Sequence, residues 1–198
     1  MIAISLLIMD RLLWHILKGE LQVDIKLIKP TMEYEEDIWS FRQEILDSDD
    51  KDKLAGCQYL EECASSYEWI EKSVLWENVE TCPEGHVPSN VYIAVRQSDN
   101  RIVGIIDLRH HINHPVLELW GGHIGYCVRP DERKKGYARE MLRLNLQNCR
   151  DLGIEHVMVT CNADNIASER TIIANGGIFE KVICVEGDLI KRFWINLG

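Results

Sequence analysis

Apolar residues recur along this chain with two periods, one typical of β-strands and one typical of amphipathic helices. Residues 23–29 alternate between apolar and polar positions, which predicts a first strand that ends at Pro30. Thr31 can cap the helix that follows. One face of that helix is apolar, with members spaced by four, three and four residues: Tyr34, Ile38, Phe41 and Ile45. A second helical pattern covers residues 54–79, with a break near Ser65.

The middle of the chain has the pattern of β-structure. After a loop over residues 81–90, the runs 91–95 and 102–108 flank a short turn and predict a hairpin. A long polar loop follows, and residues 122–128 then predict another strand.

The last third alternates helices and strands. Residues 136–152 predict a helix that Gly153 ends. Its predicted buried residues are Ala138, Met141, Leu142, Leu146 and Cys149. Residues 156–161 are almost continuously apolar, as in a strand buried on both faces. The remaining elements are a short helix led by Asn165 and two strands, over residues 179–185 and 189–197.

The element order is β-α-α-β-β-β-α-β-α-β-β, with no internal repeat or low-complexity tract. At 198 residues the chain can bury one substantial core. We therefore predict a single domain over residues 22–198. The formal net charge of −10 argues against sequence-independent nucleic-acid binding, which needs a cationic face. It is compatible with an amine substrate.

Residues 1–21 form an apolar extension in front of this domain. Its apolar run is too short to span a bilayer and lacks the basic start of a secretory signal, so we predict no membrane partner. We expect a short helix packed on the domain or on a second subunit. A loosely attached extension and a start codon assigned too early remain alternatives.

Seven cysteines are scattered along the chain without a CxxC pair. Several of them, such as Cys127 and Cys161, lie in apolar runs. This distribution favours buried, reduced thiols in a cytoplasmic protein over disulfides or a metal site.

A basic loop precedes the helix at residues 136–152. Arg133, Lys134 and Lys135 stand where a helix N-terminus already carries partial positive charge, and Gly136 removes a side chain there. A strand, a basic glycine loop and a helix in this order favour phosphate binding. The alternative is a solvated basic turn, neutralised in part by neighbouring carboxylates.

Three of these positions resemble the signature of the GNAT superfamily of acetyl-CoA-dependent N-acetyltransferases: Arg133, Gly136 and Ala138. The element order agrees, so the resemblance covers residues 24–197. The sequence Gly-Gly-His-Ile-Gly-Tyr at residues 121–126, with the segment 165–168, further resembles a little-characterised bacterial branch of that superfamily.

The resemblance implies an α/β fold of mixed α+β type. Its central, mostly antiparallel mixed sheet would have about seven strands, with about four helices around it. The strands at residues 123–128 and 156–161 would be parallel neighbours that splay apart, with Gly125 as a bulge at the start of the splay.

The resemblance also implies an acetyl-CoA site and no metal. The pantetheine arm would pair with the backbone of Tyr126, Cys127 and Val128, and the side chains of Asn165 and Ser168 would border it. An N-cap role for Asn165 is the alternative. The pyrophosphate would bind to the basic loop, at Arg133, Lys134, Lys135, Gly136, Tyr137 and Ala138.

Acetyl transfer needs a neutral acceptor amine, a held oxyanion and a leaving thiolate. Glu118 and His123 are the candidate bases, although Glu118 could be a solvated loop residue and His123 a hydrogen-bonded strand residue. A backbone N–H near Val128 can hold the oxyanion. Many relatives carry a tyrosine acid in the last helix, where this chain has Ile172. Tyr126 or Tyr137 could substitute, although Tyr126 could equally be a packed strand aromatic. Transfer without a dedicated acid is the alternative, because a thiolate leaves readily.

Two further groups border the expected acceptor cleft. His110, His111 and His114 do not match common zinc spacings, so we assign them to a loop beside the cleft. An aromatic set lies where relatives build the acceptor lid, and its members divide between core and pocket: Tyr59, Tyr67, Trp69 and Trp76.

The sequence thus predicts a cytoplasmic enzyme that moves an acetyl group to the amine of a small molecule or peptide. A homodimer is possible. The transfer would be direct, in a ternary complex. One alternative is a catalytically silent acyl-CoA sensor. Another is an interaction protein recruited through residues 1–21.

Overall fold

A computed structural model describes residues 23–49 and 54–198 of the chain. The strands of the described part are β1 (Ile25–Ile28), β2 (Ser89–Arg96), β3 (Arg101–Arg109), β4 (Tyr126–Val128), β5 (His156–Asn162), β6 (Ile178–Val185) and β7 (Asp188–Asn196). The α-helices there are α1 (Glu35–Leu46), α2 (Ser66–Leu75), α3 (Tyr137–Asp151) and α4 (Ile166–Ala174). The predicted order of elements is confirmed.

The seven strands form two antiparallel sheets that meet at one parallel bridge. The first sheet has the order β1-β2-β3-β4 and the second has the order β5-β7-β6. Ile124, just before β4, forms a parallel bridge with Val159 of β5. The expected mixed, mostly antiparallel sheet with a splayed parallel pair is confirmed.

Two hydrophobic clusters fill the faces of the sheets. α3 packs Met141, Leu142 and Leu146 against one face, together with Phe193 of β7. α1 and α2 cover the other face of the first sheet. The central strands β2 and β3 are buried on both sides. β4 is the edge strand next to β3 and lies at the surface of the core.

The second helix is much shorter than predicted. α2 begins after Ser65, whose side-chain oxygen accepts from the Glu68 N–H at 3.2 Å. Upstream, Leu54, Gln58 and Tyr59 have left-handed backbone with φ of 53°, 43° and 60°, which an α-helix cannot contain. Apolar periodicity in residues 54–64 reflects packing of turns, not a helix.

Two smaller expectations were also wrong. The Thr31 side chain makes no capping bond, because a 3-10 turn (Met32–Tyr34) precedes α1. Ala138 is half-buried, and Tyr137 is buried in its place, because the first turn of α3 faces an open cleft. Gly153 ends α3 as predicted, with a φ of 72°.

The predictions for residues 1–21 lie outside the described residues. No helix in the described part is long and apolar enough to cross a membrane. All seven cysteines carry free thiols.

Candidate active site

The cleft between β4 and β5 opens where the two strands separate. The His123 N–H donates to the Met158 carbonyl at 2.8 Å, and the Met158 N–H donates to Nδ1 of His123 at 2.9 Å. Beyond Ile124 the strands belong to different sheets. β4 and the end of β5 then line a cavity of about 1120 Å³, which we call the donor cleft.

An irregularity at Gly125 starts this separation. Its N–H donates to Oδ1 of Asp107 at 2.6 Å, and its carbonyl accepts from the Asp107 N–H at 3.0 Å. Gly56 packs against it so closely that a Cβ on Gly56 would lie 2.1 Å from the Gly125 oxygen. The strand predicted at residues 122–128 is therefore regular only over Tyr126–Val128.

One edge of β4 is directed into the donor cleft. In an antiparallel pair, backbone groups point alternately towards and away from the neighbouring strand. The Gly125 carbonyl and the Arg129 N–H bond to β3, so the alternation assigns the backbone of Cys127 to β3 as well. The backbone groups of Tyr126 and Val128 then face the cleft. The Val128 carbonyl accepts from Nε of Arg133 at 3.1 Å.

The basic loop forms the far end of the donor cleft. Gly136 is the N-cap of α3 with a φ of 92°, and it offers no capping side chain. The first amides of a helix lack intrahelical acceptors, so an anion can bind there. Lys134 has left-handed backbone. The predicted residues of this loop that line the cleft are Arg133, Lys134, Gly136, Tyr137 and Ala138.

Lys135 is directed elsewhere. Its Nζ lies 2.8 Å from Oε2 of Glu132, a buried carboxylate that also binds Arg96 and Arg101. Lys135 does not line the donor cleft. Its charge therefore helps to hold the turn before α3, whereas the neighbouring Lys134 lines the cleft.

α4 contributes the third wall of the cleft. Asn165 caps it, with Oδ1 accepting from the Ser168 N–H at 3.0 Å, and both residues line the cleft. The Ser168 hydroxyl lies 2.8 Å from the hydroxyl of Tyr126. Burial raises the pKa of Tyr126, against the opposing effect of the Ser168 hydrogen bond, so the phenol keeps its proton at neutral pH. Ile172 is fully buried in the core.

A second cavity of about 450 Å³ adjoins the donor cleft, and we call it the acceptor cavity. The two share five lining residues: Gly56, Glu61, Arg109, Trp120 and Gly121. Of the predicted aromatic set, Tyr59 and Trp76 line the acceptor cavity, whereas Trp69 is core and Tyr67 lies on the surface.

Asp107 is a buried acid in the wall of the acceptor cavity. Burial raises the pKa of its carboxyl, against the opposing charge of Arg109, whose Nη2 lies 2.9 Å from Oδ2 of Asp107. Asp107 was not among the predicted site residues. The signal was available, because Asp107 is the only charged residue in the apolar run 102–108.

The two predicted bases lie apart from these walls. Glu118 is exposed on a short π-helix (Leu117–Gly121), which Arg192 and Thr160 hold through its backbone carbonyls. His123 is buried at the closed end of the splay, where burial lowers its pKa to about 4. The residues that line the two cavities include neither Glu118 nor His123.

The histidine loop shows no metal cluster. His110 lies 3.2 Å from Oδ1 of Asn90 through Nε2, and His114 borders the acceptor cavity. Among the described residues, no group of three or more His, Cys, Asp or Glu side chains could hold a metal ion.

Comparisons with known proteins agree with this geometry. Solved structures with the same fold include the microcin self-immunity acetyltransferase MccE in complex with acetyl-CoA and AMP, which is 17% identical with a TM-score of 0.61 over 90% of this chain and 95% of that one. The ribosomal α-N-protein acetyltransferase RimL in complex with coenzyme A is 15% identical, with a TM-score of 0.62 over 89% and 96%.

A chimera of the spermidine N-acetyltransferase SpeG from Vibrio cholerae and hSSAT is 13% identical, with a TM-score of 0.57 over 87% and 95%. None of the curated proteins matches the sequence. The family model of the acetyltransferase (GNAT) domain matches residues 35–178, well over half of the chain. The protein therefore belongs to the GNAT family of acetyltransferases and is an acyltransferase enzyme.

Proposed function

We propose that the protein transfers the acetyl group of acetyl-CoA directly to an amine of a small molecule or peptide, in a ternary complex. The observation that carries the proposal is that the two cavities adjoin each other at Gly56. One is lined by an open strand edge and a basic helix N-terminus. The other is lined by acidic and aromatic side chains. Acetyl-CoA would supply an activated acetyl thioester in the first cavity.

The residues of the donor cleft suit acetyl-CoA. The open backbone groups of Tyr126 and the N–H of Val128 are placed to pair with an amide-bearing arm and to hold an oxyanion. Lys134 and the uncapped amides at Gly136 suit a pyrophosphate. Asn165 and Ser168 border the same space from α4.

Asp107 is placed to receive the proton of the acceptor amine. Each carboxylate oxygen keeps lone pairs beyond its bond to Gly125 or Arg109, and the raised pKa makes it a stronger base than a surface carboxylate. Asp107→Asn should lower kcat/KM and flatten its acidic limb in a pH profile. Glu118→Gln and His123→Gln test the two earlier candidates in the same profile. A flattened limb in either of these, with Asp107→Asn unaffected, would reassign the base.

Tyr126 is the proposed proton donor for the leaving thiolate. Its hydroxyl extends from β4 to Ser168 of α4. The same helix carries Ile172, at the position where many relatives have a tyrosine. The hydroxyl of Tyr137, in contrast, accepts from Arg96 at 3.0 Å.

The alternative, a silent acyl-CoA sensor, shares the donor cleft but needs no acceptor. Calorimetry with acetyl-CoA and a thiol-release assay across a panel of amines separates the two. Binding together with amine-dependent release of CoA supports the enzyme. Binding without release from any amine supports the sensor, and absence of binding contradicts both.

Three broader expectations accompany the enzyme. We propose a cytoplasmic location, because all seven cysteines are free thiols. The bacterial origin rests on the resemblance alone. The homodimer stays a prediction, and the surface to test by mass in solution is the exposed apolar face at Phe179 and Val182 of β6.

A further inference from the structure

Three aromatic rings stand in contact at the wall of the acceptor cavity. The ring centroids of Tyr59 and Trp76 are 5.1 Å apart, those of Trp76 and His86 are 4.8 Å apart, and those of Tyr59 and His86 are 5.7 Å apart. All three residues line the cavity. Tyr59 is 48% exposed and His86 is also exposed, so these rings present surface to the cavity and are not filling the core.

The backbone is strained where it presents Tyr59. Gln58 and Tyr59 both have left-handed φ values, which non-glycine residues adopt rarely because of the steric strain. The Gln58 amide anchors this turn by donating to the Ser89 hydroxyl at 2.6 Å. Ser89 in turn donates its N–H to the Trp76 carbonyl at 2.8 Å. The ring cluster is therefore held together by a specific network.

The charged side chains of the same cavity are mostly acidic. Glu61, Glu62 and Asp107 line it, against one guanidinium, that of Arg109. Arg109 is engaged by Asp107 and donates to the carbonyls of residues 121 and 122. Within the described residues, no ion pair engages the carboxylate of Glu61 or Glu62. The cavity thus keeps an excess of negative charge.

We propose that the acceptor carries a second cationic group besides its reacting amine, and that this group binds between the three rings and Glu62. This inference rests on the proposed acetyl transfer. Aromatic faces and carboxylates both attract a cation, and the attraction to an aromatic face is stronger when the cation is desolvated. The reacting amine would lie at the residues shared with the donor cleft, near Gly56. Diamines and amines with a quaternary ammonium or guanidinium group belong to this class.

A matched series of acceptors tests the second charge. The compounds 1,5-diaminopentane, 5-aminopentan-1-ol and 5-aminopentanoate share a five-carbon chain with a terminal primary amine, and have a cationic, neutral or anionic far end. The two equivalent amines of the diamine add only about a twofold statistical factor. We expect kcat/KM to fall in that order, with a difference of about tenfold or more between the first two. Equal values, or a preference for the anion or the alcohol, would overturn the inference while leaving acetyl transfer intact.

A binding measurement tests the cation site separately from acetyl transfer. Tetramethylammonium has no N–H to acetylate, and its binding can be followed by calorimetry without any turnover. We expect Tyr59→Leu and Glu62→Gln each to weaken that binding by about fivefold or more. Tyr67→Leu is the matched control, because Tyr67 is an exposed tyrosine whose hydroxyl binds Glu71 outside the cavity. Unchanged binding in both cavity variants contradicts the cation site.

The combined outcomes distinguish the two claims. Tetramethylammonium binding that depends on Tyr59, with no CoA release from any amine, would retain the cation site and reject the transferase. CoA release without dependence on the far-end charge would retain the transferase and reject the cation site.

Discussion

The donor cleft and the acceptor cavity share lining residues, but one is formed mainly by backbone groups and the other mainly by side chains. The donor cleft is mainly backbone: the open edge of β4, the uncapped start of α3 and the N-terminus of α4. The acceptor cavity is mainly side chains, brought together from the turns at 54–62, the end of α2, the loop at residues 85–87 and the π-helix. Backbone geometry recognises a constant ligand, whereas side chains can be exchanged to suit a variable one.

The largest expected effect tests the point where the two regions touch. Gly56→Ala would place a Cβ 2.1 Å from the Gly125 oxygen, and neither backbone can give way without disturbing β4. We expect a loss of roughly 3 kcal/mol or more in the free energy of unfolding and loss of transfer activity. Thermal unfolding and the thiol-release assay measure both.

Gly153→Ala is the control for that substitution. Gly153 also has a positive φ, of 72°, but an added Cβ there would meet nothing within 4 Å. We expect it to lower stability by about 1 kcal/mol through backbone strain alone. Equal losses in the two variants would show that the contact between Gly56 and Gly125 is unimportant.

The second prediction concerns the closed end of the donor cleft. His123 is buried and its pKa is lowered from 6.5 to about 4, mainly by burial, so the unfolded chain binds its proton at a higher pH than the folded protein does. Stability from this residue is complete above about pH 6.5 and is lost as the pH falls towards 4. Wild type should lose about 3 kcal/mol over this range from His123.

His123→Gln supplies the comparison, because a glutamine oxygen can still accept from the Met158 N–H but does not titrate. Denaturant unfolding at pH 7 and pH 4 should show a smaller acid loss in the variant than in wild type. The same loss in both proteins would mean that His123 does not titrate as its burial requires.

The third prediction separates chemistry from binding within the donor cleft. Tyr126→Phe removes the hydroxyl that lies 2.8 Å from Ser168 and leaves the ring in place. We expect kcat to fall by roughly tenfold to a hundredfold, a modest effect for a general acid because a thiolate leaves readily. The Kd of acetyl-CoA from calorimetry should stay the same. An unchanged kcat would show that transfer needs no phenol.

The smallest expected effect compares two adjacent lysines. Lys134→Ala should raise the Kd of acetyl-CoA about tenfold, equivalent to about 1.4 kcal/mol, because Lys134 lines the donor cleft. Lys135→Ala should raise it less than about threefold, since Lys135 does not line the cleft and its charge is paired with Glu132. Calorimetry at low salt gives both values, and a reversed order would move the anion to the other side of the loop.

The basic loop of the donor cleft could be predicted from local sequence, whereas the acceptor cavity could be anticipated only as an aromatic set divided between core and pocket. Gly136 and Gly153 bound α3 because each has a positive φ, and such positions favour glycine in a recognisable local pattern. Tyr59 reaches the cavity through the left-handed turn at residues 58–59, and neither of these two positions is a glycine. Periodicity therefore suggested a helix there.

Single side chains were harder still to place. Lys134 and Lys135 are equivalent in sequence, and the ion pair with Glu132, which also binds Arg96 and Arg101, is what distinguishes Lys135. Asp107 contacts Gly125 and Arg109, and the latter contact crosses the predicted strand boundary. Such contacts depend on tertiary register, which apolar spacing does not encode.

The backbone contact between Gly56 and Gly125 has a practical consequence for anyone who redesigns this enzyme. Side chains at positions 59, 62, 76 and 86 stand around the acceptor cavity without entering the donor cleft, and are open to variation in a library. Positions 56 and 125 should be held as glycine in every member, because a Cβ at position 56 would fall 2.1 Å from the Gly125 oxygen and one at position 125 would fall 2.9 Å from the Gly56 nitrogen. New acceptors can then be sought without rebuilding the machinery that handles the donor.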